Sequence, residues 1–190
     1  RHGKAAILSK EEYSKIRKKT KSDKYKLLID IAWFTGERIN ALTQLKISDC
    51  YDDNLKPRNN INFLARTRKA SPKGIKRTRQ LKAHSILIEA LKGYMPDRNT
   101  SEYLFHNRSG EGPITVRWSD KILRAAIERA GLSAKGISWH SFRRTFATRL
   151  HRAGVSIFVI SKMLDHSDVR TTQQYIDLFE DQIEGALEAL

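Results

Sequence analysis

The chain of 190 residues is predicted to be an α+β protein, mainly α-helical, with a small antiparallel three-stranded sheet. Two observations support this fold class. Apolar residues recur at intervals of three and four over most of the sequence, which is the helical period. Between Lys46 and Ala83 that period gives way to short apolar runs separated by turn-forming residues, which is typical of short strands. Without a repeat or a linker, residues 1–190 are expected to form a single domain.

The N-terminal third is predicted to contain three helices. Ser9 and Glu12 have the spacing of a capping box, so the first helix should cover residues 9–19. The second, over residues 24–34, carries an apolar stripe. After a glycine turn, a short third helix is expected over residues 39–45.

The middle of the chain is predicted to form the sheet. The expected strands lie at Ile47 with residues 50–51, at residues 61–64 and at residues 78–81. The last two should pair as a hairpin around a basic loop that contains Ser71-Pro72-Lys73-Gly74.

Helices are expected again in the C-terminal half. Phe142, Phe146 and Leu150 recur every four residues and predict one buried helix face. Gly131 and Gly154 stand where two of these helices should end. The predicted helices cover residues 85–94, 116–130, 141–153, 156–164 and 181–190.

The composition favours a nucleic-acid-binding protein. Lys and Arg number 36 against 21 Asp and Glu, a formal net charge of +15, and such an excess binds polyanions by releasing their counterions. A solvated basic surface is the alternative.

The single Cys50 excludes an internal disulfide and a multi-cysteine zinc site. No apolar run approaches the roughly 18 residues of a membrane span. We therefore expect a cytoplasmic protein without a membrane partner.

Three separated segments carry the residues that bear on chemistry. They are Thr35-Gly36-Glu37-Arg38, then His140-Ser141-Phe142-Arg143-Arg144-Thr145-Phe146-Ala147-Thr148, then Leu164-Asp165-His166-Ser167 with Thr171-Thr172-Gln173-Gln174-Tyr175. His166 follows Arg143 by 23 residues, and Tyr175 follows His166 by nine. In motif order and spacing, residues 9–177 resemble the tyrosine recombinases of the phage integrase family, which implies their DNA breaking-rejoining catalytic fold.

The resemblance implies a role for each of these side chains. Tyr175 is the nucleophile, and Arg38 and Arg143 clamp the phosphate with forked hydrogen bonds that replace metal ions. His140 accepts the tyrosine proton, and His166 donates to a phosphate oxygen or holds the tyrosine. Considered without the motifs, Arg38 is better explained as a surface arginine paired with Glu37 or Asp30, and Tyr175 as a packing residue.

The resemblance also implies a lysine on the hairpin loop that protonates the leaving 5′ oxygen. Our order is Lys73, then Lys69, then Lys76, and the others are expected to contact the DNA backbone. Three positions depart from the family pattern, and one of them is Phe142 in place of a usual leucine. Ala41 stands where an acidic residue is frequent, and Glu37 is a possible substitute. Asp165 replaces a frequent glycine in a turn that an aspartate tolerates.

The expected function is site-specific recombination for a phage or another mobile genetic element. The chain would cleave and rejoin double-stranded DNA through a 3′-phosphotyrosyl intermediate, in integration or excision, as a tetramer on paired sites and without metal, ATP or cofactor. A separate N-terminal DNA-clamping domain is expected outside residues 1–190, and nucleoid association when DNA is bound. A type IB topoisomerase-like enzyme and a non-enzymatic DNA-binding module remain alternatives.

Overall fold

The computed structural model describes residues 5–67, 78–166 and 168–173. By its internal contacts the chain divides into two compact units, Arg1–Phe146 and Ala147–Leu190. The N-terminal unit holds α1 to α6 and both strands; α7 starts there and ends in the C-terminal unit, which holds α8 and α9. The elements are α1 (Lys10–Lys19), α2 (Asp23–Thr35), α3 (Ile39–Thr43), α4 (Ile47–Cys50), β1 (Asn60–Phe63), β2 (Arg79–Lys82), α5 (Ser85–Lys92), α6 (Val116–Arg129), α7 (Trp139–Arg152), α8 (Ile157–Leu164) and α9 (Val169–Gln173).

The predicted capping box at the start of α1 is confirmed. Ser9 Oγ accepts from the Glu12 backbone N–H at 3.2 Å, and Glu12 Oε2 accepts from the Ser9 backbone N–H at 3.0 Å. Helix α1 then packs on α2, where the Tyr13 and Trp33 rings stack with centroids 4.3 Å apart. Helix α2 is buried on nearly every side, from Leu27 to Trp33. It is the centre of the N-terminal core and ends at Thr35, the first residue of the first motif.

The predicted sheet is partly wrong. Strands β1 and β2 pair antiparallel as expected, from Asn60 opposite Lys82 to Phe63 opposite Arg79. Among the described residues the sheet has two strands instead of three, because residues 47–50 form α4. Asp49 caps this turn by accepting the Lys46 backbone N–H at 2.9 Å. The buried Ile47 and Cys50 are three residues apart, which is a helical spacing.

The predicted helices of the C-terminal half are confirmed as far as residue 164. Gly131 and Gly154, with φ of 72° and 80°, follow α6 and α7. The buried face of α7 is wider than the predicted stripe, since every residue from Ser141 to Thr148 is buried. The predicted helix over residues 181–190 lies outside the described residues. In the described part of the chain, every helix is too short or too polar to span a bilayer.

Candidate active site

The first motif forms a compact turn at the end of α2. Thr35 is the last residue of α2, and Gly36 then takes a left-handed conformation with φ of 58°. A Cβ on Gly36 would lie 2.6 Å from Cδ1 of the Phe146 ring, so the turn requires glycine for its backbone angle and for space. Thr35 Oγ1 accepts from the Glu37 backbone N–H at 3.2 Å. The sequence therefore fixes the backbone immediately before Arg38.

Arg143 reaches this turn from α7. Its Nη1 donates to the Gly36 carbonyl oxygen at 2.7 Å and lies 3.9 Å from Glu37 Oε1. The guanidinium side chain is 2% exposed, although Arg143 and Gly36 are 107 residues apart in sequence. The fold thus brings the arginine of the second motif to the turn that carries Arg38.

Arg38 is the residue at the N-cap position of α3, and it is half-buried. Neither of the two alternative ion pairs is present. Glu37 accepts the Arg38 backbone N–H at 2.8 Å, and its other carboxylate oxygen pairs with Arg79. Asp30 pairs with Arg17. Within residues 5–67, 78–166 and 168–173, the Arg38 side chain forms no ion pair.

Glu37 lies between two arginines of distant elements. Its carboxylate is 1% exposed and its Oε2 accepts from Arg79 Nη1 at 2.8 Å. Arg79, the first residue of β2, is 9% exposed and lies over the Phe63 ring at 6.0 Å. The sequence raised Glu37 as a possible acidic partner and gave no contact for it. Arg79 was noted only as part of a basic hairpin.

The two residues of the second motif have different environments. His140 is exposed in the first turn of α7, whereas Arg143, one turn later, is buried. The sequence predicted that both project away from the apolar stripe, but it gave no sign that Arg143 is buried. The backbone and carboxylate of the Gly36–Glu37 turn replace solvent around its guanidinium.

His166 is fixed within the C-terminal unit. Asp165 ends α8 in a left-handed conformation with φ of 54°, as expected for an aspartate in place of glycine. The backbone N–H groups of Asp165 and His166 donate to the Lys162 and Ser161 carbonyls, a Schellman-type ending. His166 Nδ1 lies 2.7 Å from Thr172 Oγ1, and this contact orients the half-buried ring. From the sequence, Thr172 was identified only as a residue of the third motif, with no contact to His166 predicted.

The chain is similar to proteins of one known family. The model of the phage integrase family matches residues 6–182. This chain belongs to the phage integrase family. It is 31% identical over 165 residues to the tyrosine recombinase XerC of Anoxybacillus flavithermus and 29% identical over 162 residues to XerD of Corynebacterium glutamicum. Each match covers 82% of this chain and 50% or 49% of the relative, so the chain spans about half the length of these curated relatives.

Solved structures agree with this assignment. The XerH recombinase bound to its difH substrate superimposes with a TM-score of 0.71 at 26% identity, covering 97% of this chain and 54% of XerH. XerA superimposes with a TM-score of 0.74 at 24% identity, covering 98% of this chain and 66% of XerA, and supports the fold alone. The predicted tyrosine-recombinase catalytic fold is thus confirmed.

The remaining predicted site residues of this family member lie outside the described part. They are Tyr175 and the hairpin lysines Lys69, Lys73 and Lys76. The described residues that flank residues 68–77 are held by hydrogen bonds. Asn40 Nδ2 donates to the Thr67 carbonyl at 3.0 Å, and Thr78 Oγ1 accepts from the Ala65 backbone N–H at 3.2 Å. Thr67 is thereby held by a residue two positions after Arg38.

A turn with this arrangement can hold an anion. A phosphodiester that takes on negative charge during attack is stabilised by fixed donors, and guanidiniums stay protonated at every working pH. Arg143 is fixed in place by Gly36 O, and Arg38 follows two residues later on the same turn. The geometry therefore supports phosphoryl transfer better than hydrolysis by paired carboxylates, since the carboxylate in the site is neutralised by arginines.

Proposed function

We propose that this chain cleaves and rejoins double-stranded DNA as a site-specific tyrosine recombinase. The observation that carries the proposal is the 2.7 Å bond from Arg143 Nη1 to the Gly36 carbonyl, which joins the two arginine motifs. Membership of the phage integrase family supports it. So does the likeness to XerH, which has been captured with its difH substrate before and after cleavage.

In the proposed reaction the Tyr175 oxygen attacks the scissile phosphorus and the bond to the 5′ oxygen breaks. The product is a 3′-phosphotyrosyl linkage and a free 5′ hydroxyl. His140 takes the tyrosine proton, and its exposed position allows contact with DNA. Arg38 and Arg143 neutralise the non-bridging oxygens, which is the task that metal ions perform in many other phosphoryl-transfer enzymes.

His166 and a hairpin lysine complete the proposed set. His166 donates to a phosphate oxygen or holds Tyr175, with its ring oriented by Thr172. Lys73 gives its proton to the leaving 5′ oxygen, with Lys69 and then Lys76 as substitutes. The reverse attack by a 5′ hydroxyl of a second strand completes the exchange. The covalent linkage keeps the energy of the broken phosphodiester, so ATP is not required.

The biological setting follows from the same proposal. The chain acts as one catalytic domain beside a DNA-clamping domain, as a tetramer on paired sites, in the integration or excision of a phage or another mobile element. It works in the cytoplasm on nucleoid DNA. Its basic charge of +15 supplies the attraction to DNA and makes binding depend on salt.

The proposal is tested with the full-length protein and a library of nicked duplexes with randomised flanks. A nick near the cleavage point releases a short fragment and traps the covalent adduct. We expect a DNA–protein adduct that resists denaturation and maps to a peptide containing Tyr175, with no adduct from Tyr175→Phe.

Other results would point to the alternatives. Binding without an adduct, with Tyr175→Phe behaving like the wild type, would identify a non-enzymatic DNA-binding module. Adducts without sequence preference, together with relaxation of supercoiled plasmid, would identify a topoisomerase-like enzyme.

A further inference from the structure

The Glu37 carboxylate is buried and shared among several donors. Its side chain is 1% exposed, and its two oxygens meet the Arg38 backbone N–H at 2.8 Å and Arg79 Nη1 at 2.8 Å. Arg143 Nη1 lies 3.9 Å from Oε1. Removing an ionised carboxylate from water is costly unless cations and donors replace the water. Here the replacing groups come from β2, from α7 and from the turn before α3.

The carboxylate holds together guanidiniums that would otherwise repel each other. Arg79 and Arg143 are both almost fully buried, with 9% and 2% of their side chains exposed. Without the negative charge of Glu37, two positive charges would face each other in a region of low dielectric. Glu37 therefore sets where the Arg143 guanidinium lies relative to the turn and to β2.

The position of Arg143 matters because a phosphate clamp depends on geometry. A displacement of about 1 Å of a group that orients the reacting atoms costs roughly 100-fold in rate. The Gly36 carbonyl fixes one point of the Arg143 guanidinium, and the Glu37 charge acts on the same nitrogen from the neighbouring residue. Nothing in these contacts places Glu37 itself on a substrate.

We propose that Glu37 is a positioning residue for the phosphate clamp, acting through Arg143 and Arg79. The inference rests on the proposed recombinase function and adds a residue to it. Glu37 fixes the guanidinium of Arg143 in the orientation that stabilises the transition state. Its charge, more than its shape, is the property required.

The test compares Glu37→Gln and Glu37→Asp in the full-length protein. The probe is the nicked duplex that gives most adduct with the wild type, at saturating concentration and in a single turnover. We expect Glu37→Gln to form adduct roughly 10- to 100-fold more slowly, with the Kd for DNA changed by less than about threefold. Glu37→Asp keeps the charge and should lose less rate than Glu37→Gln.

Asp30→Asn is the matched control. Asp30 is also a buried carboxylate that pairs with an arginine, with 2% of its side chain exposed, and among the described residues its side-chain partners are Tyr13 and Arg17 of α1. Asp30→Asn should lower the melting temperature and leave the adduct rate of the folded protein unchanged. Circular dichroism at the assay temperature verifies that each variant is folded.

The outcomes separate the two proposals. If the wild type forms no adduct, the recombinase function itself fails. If the wild type reacts and Glu37→Gln reacts at the same saturated rate, with only stability or DNA affinity changed, Glu37 is structural and this inference is overturned. Equal rate losses in Glu37→Gln and Asp30→Asn would overturn it as well, because the effect would then follow from stability.

Discussion

Two buried carboxylates, Asp30 and Glu37, lie seven residues apart and have different surroundings. Asp30 accepts from the Tyr13 hydroxyl at 2.7 Å and from Arg17 Nε at 2.7 Å, and the Arg17 side chain is 41% exposed. Glu37 instead faces Arg79 and Arg143, which are almost fully buried. The first carboxylate ties α1 to α2 at the rim of the core, while the second holds arginines of β2 and α7 inside it.

The Asp30–Arg17 pair has the features of a structural ion pair. The hydrogen bond that Arg17 donates to Asp30 raises the pKa of the Arg17 guanidinium above its ordinary value, and water reaches the rest of that group. Such a pair anchors two helices and needs no further role. A pair whose arginines are also desolvated carries a larger penalty, and apolar residues of similar volume would often be as stable. The Glu37 group is therefore better explained by the position it gives to Arg143.

The largest difference between the two regions is expected in the adduct rates of the lysine variants of Arg143 and Arg17. Arg143→Lys removes the forked donor at the Gly36 turn, because a lysine carries a single ammonium in place of a planar guanidinium. We expect the single-turnover adduct rate to fall on the order of 10²- to 10³-fold. Arg17→Lys should keep the wild-type rate within about twofold, since it changes only the exposed half of the Asp30 pair. Similar rates for both variants would remove the functional distinction between the regions.

A second comparison uses two glycines with left-handed backbones. Gly36→Ala places a methyl group 2.6 Å from the Phe146 ring as well as straining the backbone. It should lower the free energy of unfolding by about 3 kcal/mol, from the backbone and the packing effects together. Gly136, with φ of 63°, has open space around it, so Gly136→Ala should cost about 1 kcal/mol. Urea denaturation measures both, and equal losses would show that Phe146 does not constrain the turn.

The elements that the sequence predicted correctly are those with local signals. The Ser9–Glu12 box and the glycines after α6 and α7 depend on residues close in sequence, so pattern alone located these helix ends. The strand predicted at residues 47–50 was wrong because a segment as short as Ile47-Ser48-Asp49-Cys50 fits either period. The buried Asp49 side chain, which caps the turn, decided for a helix. A strand over these residues would leave that carboxylate without its backbone donor.

The candidate site was predictable as a set of residues and not as an arrangement. The order and spacing of the motifs identified Arg38, His140, Arg143 and His166 as site residues. Spacing along a helix did not indicate that Arg143 is buried, because the groups that bury it come from a turn 107 residues away. The pairing of Glu37 with Arg79 is equally non-local, over 42 residues. Such contacts depend on how α2, α7 and β2 pack, which a single sequence does not encode locally.

The smallest effect concerns two buried threonines at helix ends, one in each region. Thr20 Oγ1 donates to the Ile16 carbonyl at 2.9 Å, and Thr35 Oγ1 donates to the Ile31 carbonyl at 2.6 Å. Thr20→Val should cost about 1 kcal/mol of unfolding free energy for that bond. Thr35→Val also removes the acceptor of the Glu37 backbone N–H, so it should cost about 2 kcal/mol.

Only Thr35→Val should change the chemistry, because only Thr35 contacts the turn that positions Glu37 and, through it, Arg143. We expect its saturated adduct rate to fall roughly threefold to tenfold, which corresponds to about 1 kcal/mol in the barrier. Thr20→Val should react like the wild type. A Thr35→Val protein that loses stability without losing rate would mean that the backbone of the turn tolerates the change and that the Glu37 charge alone keeps Arg143 in place.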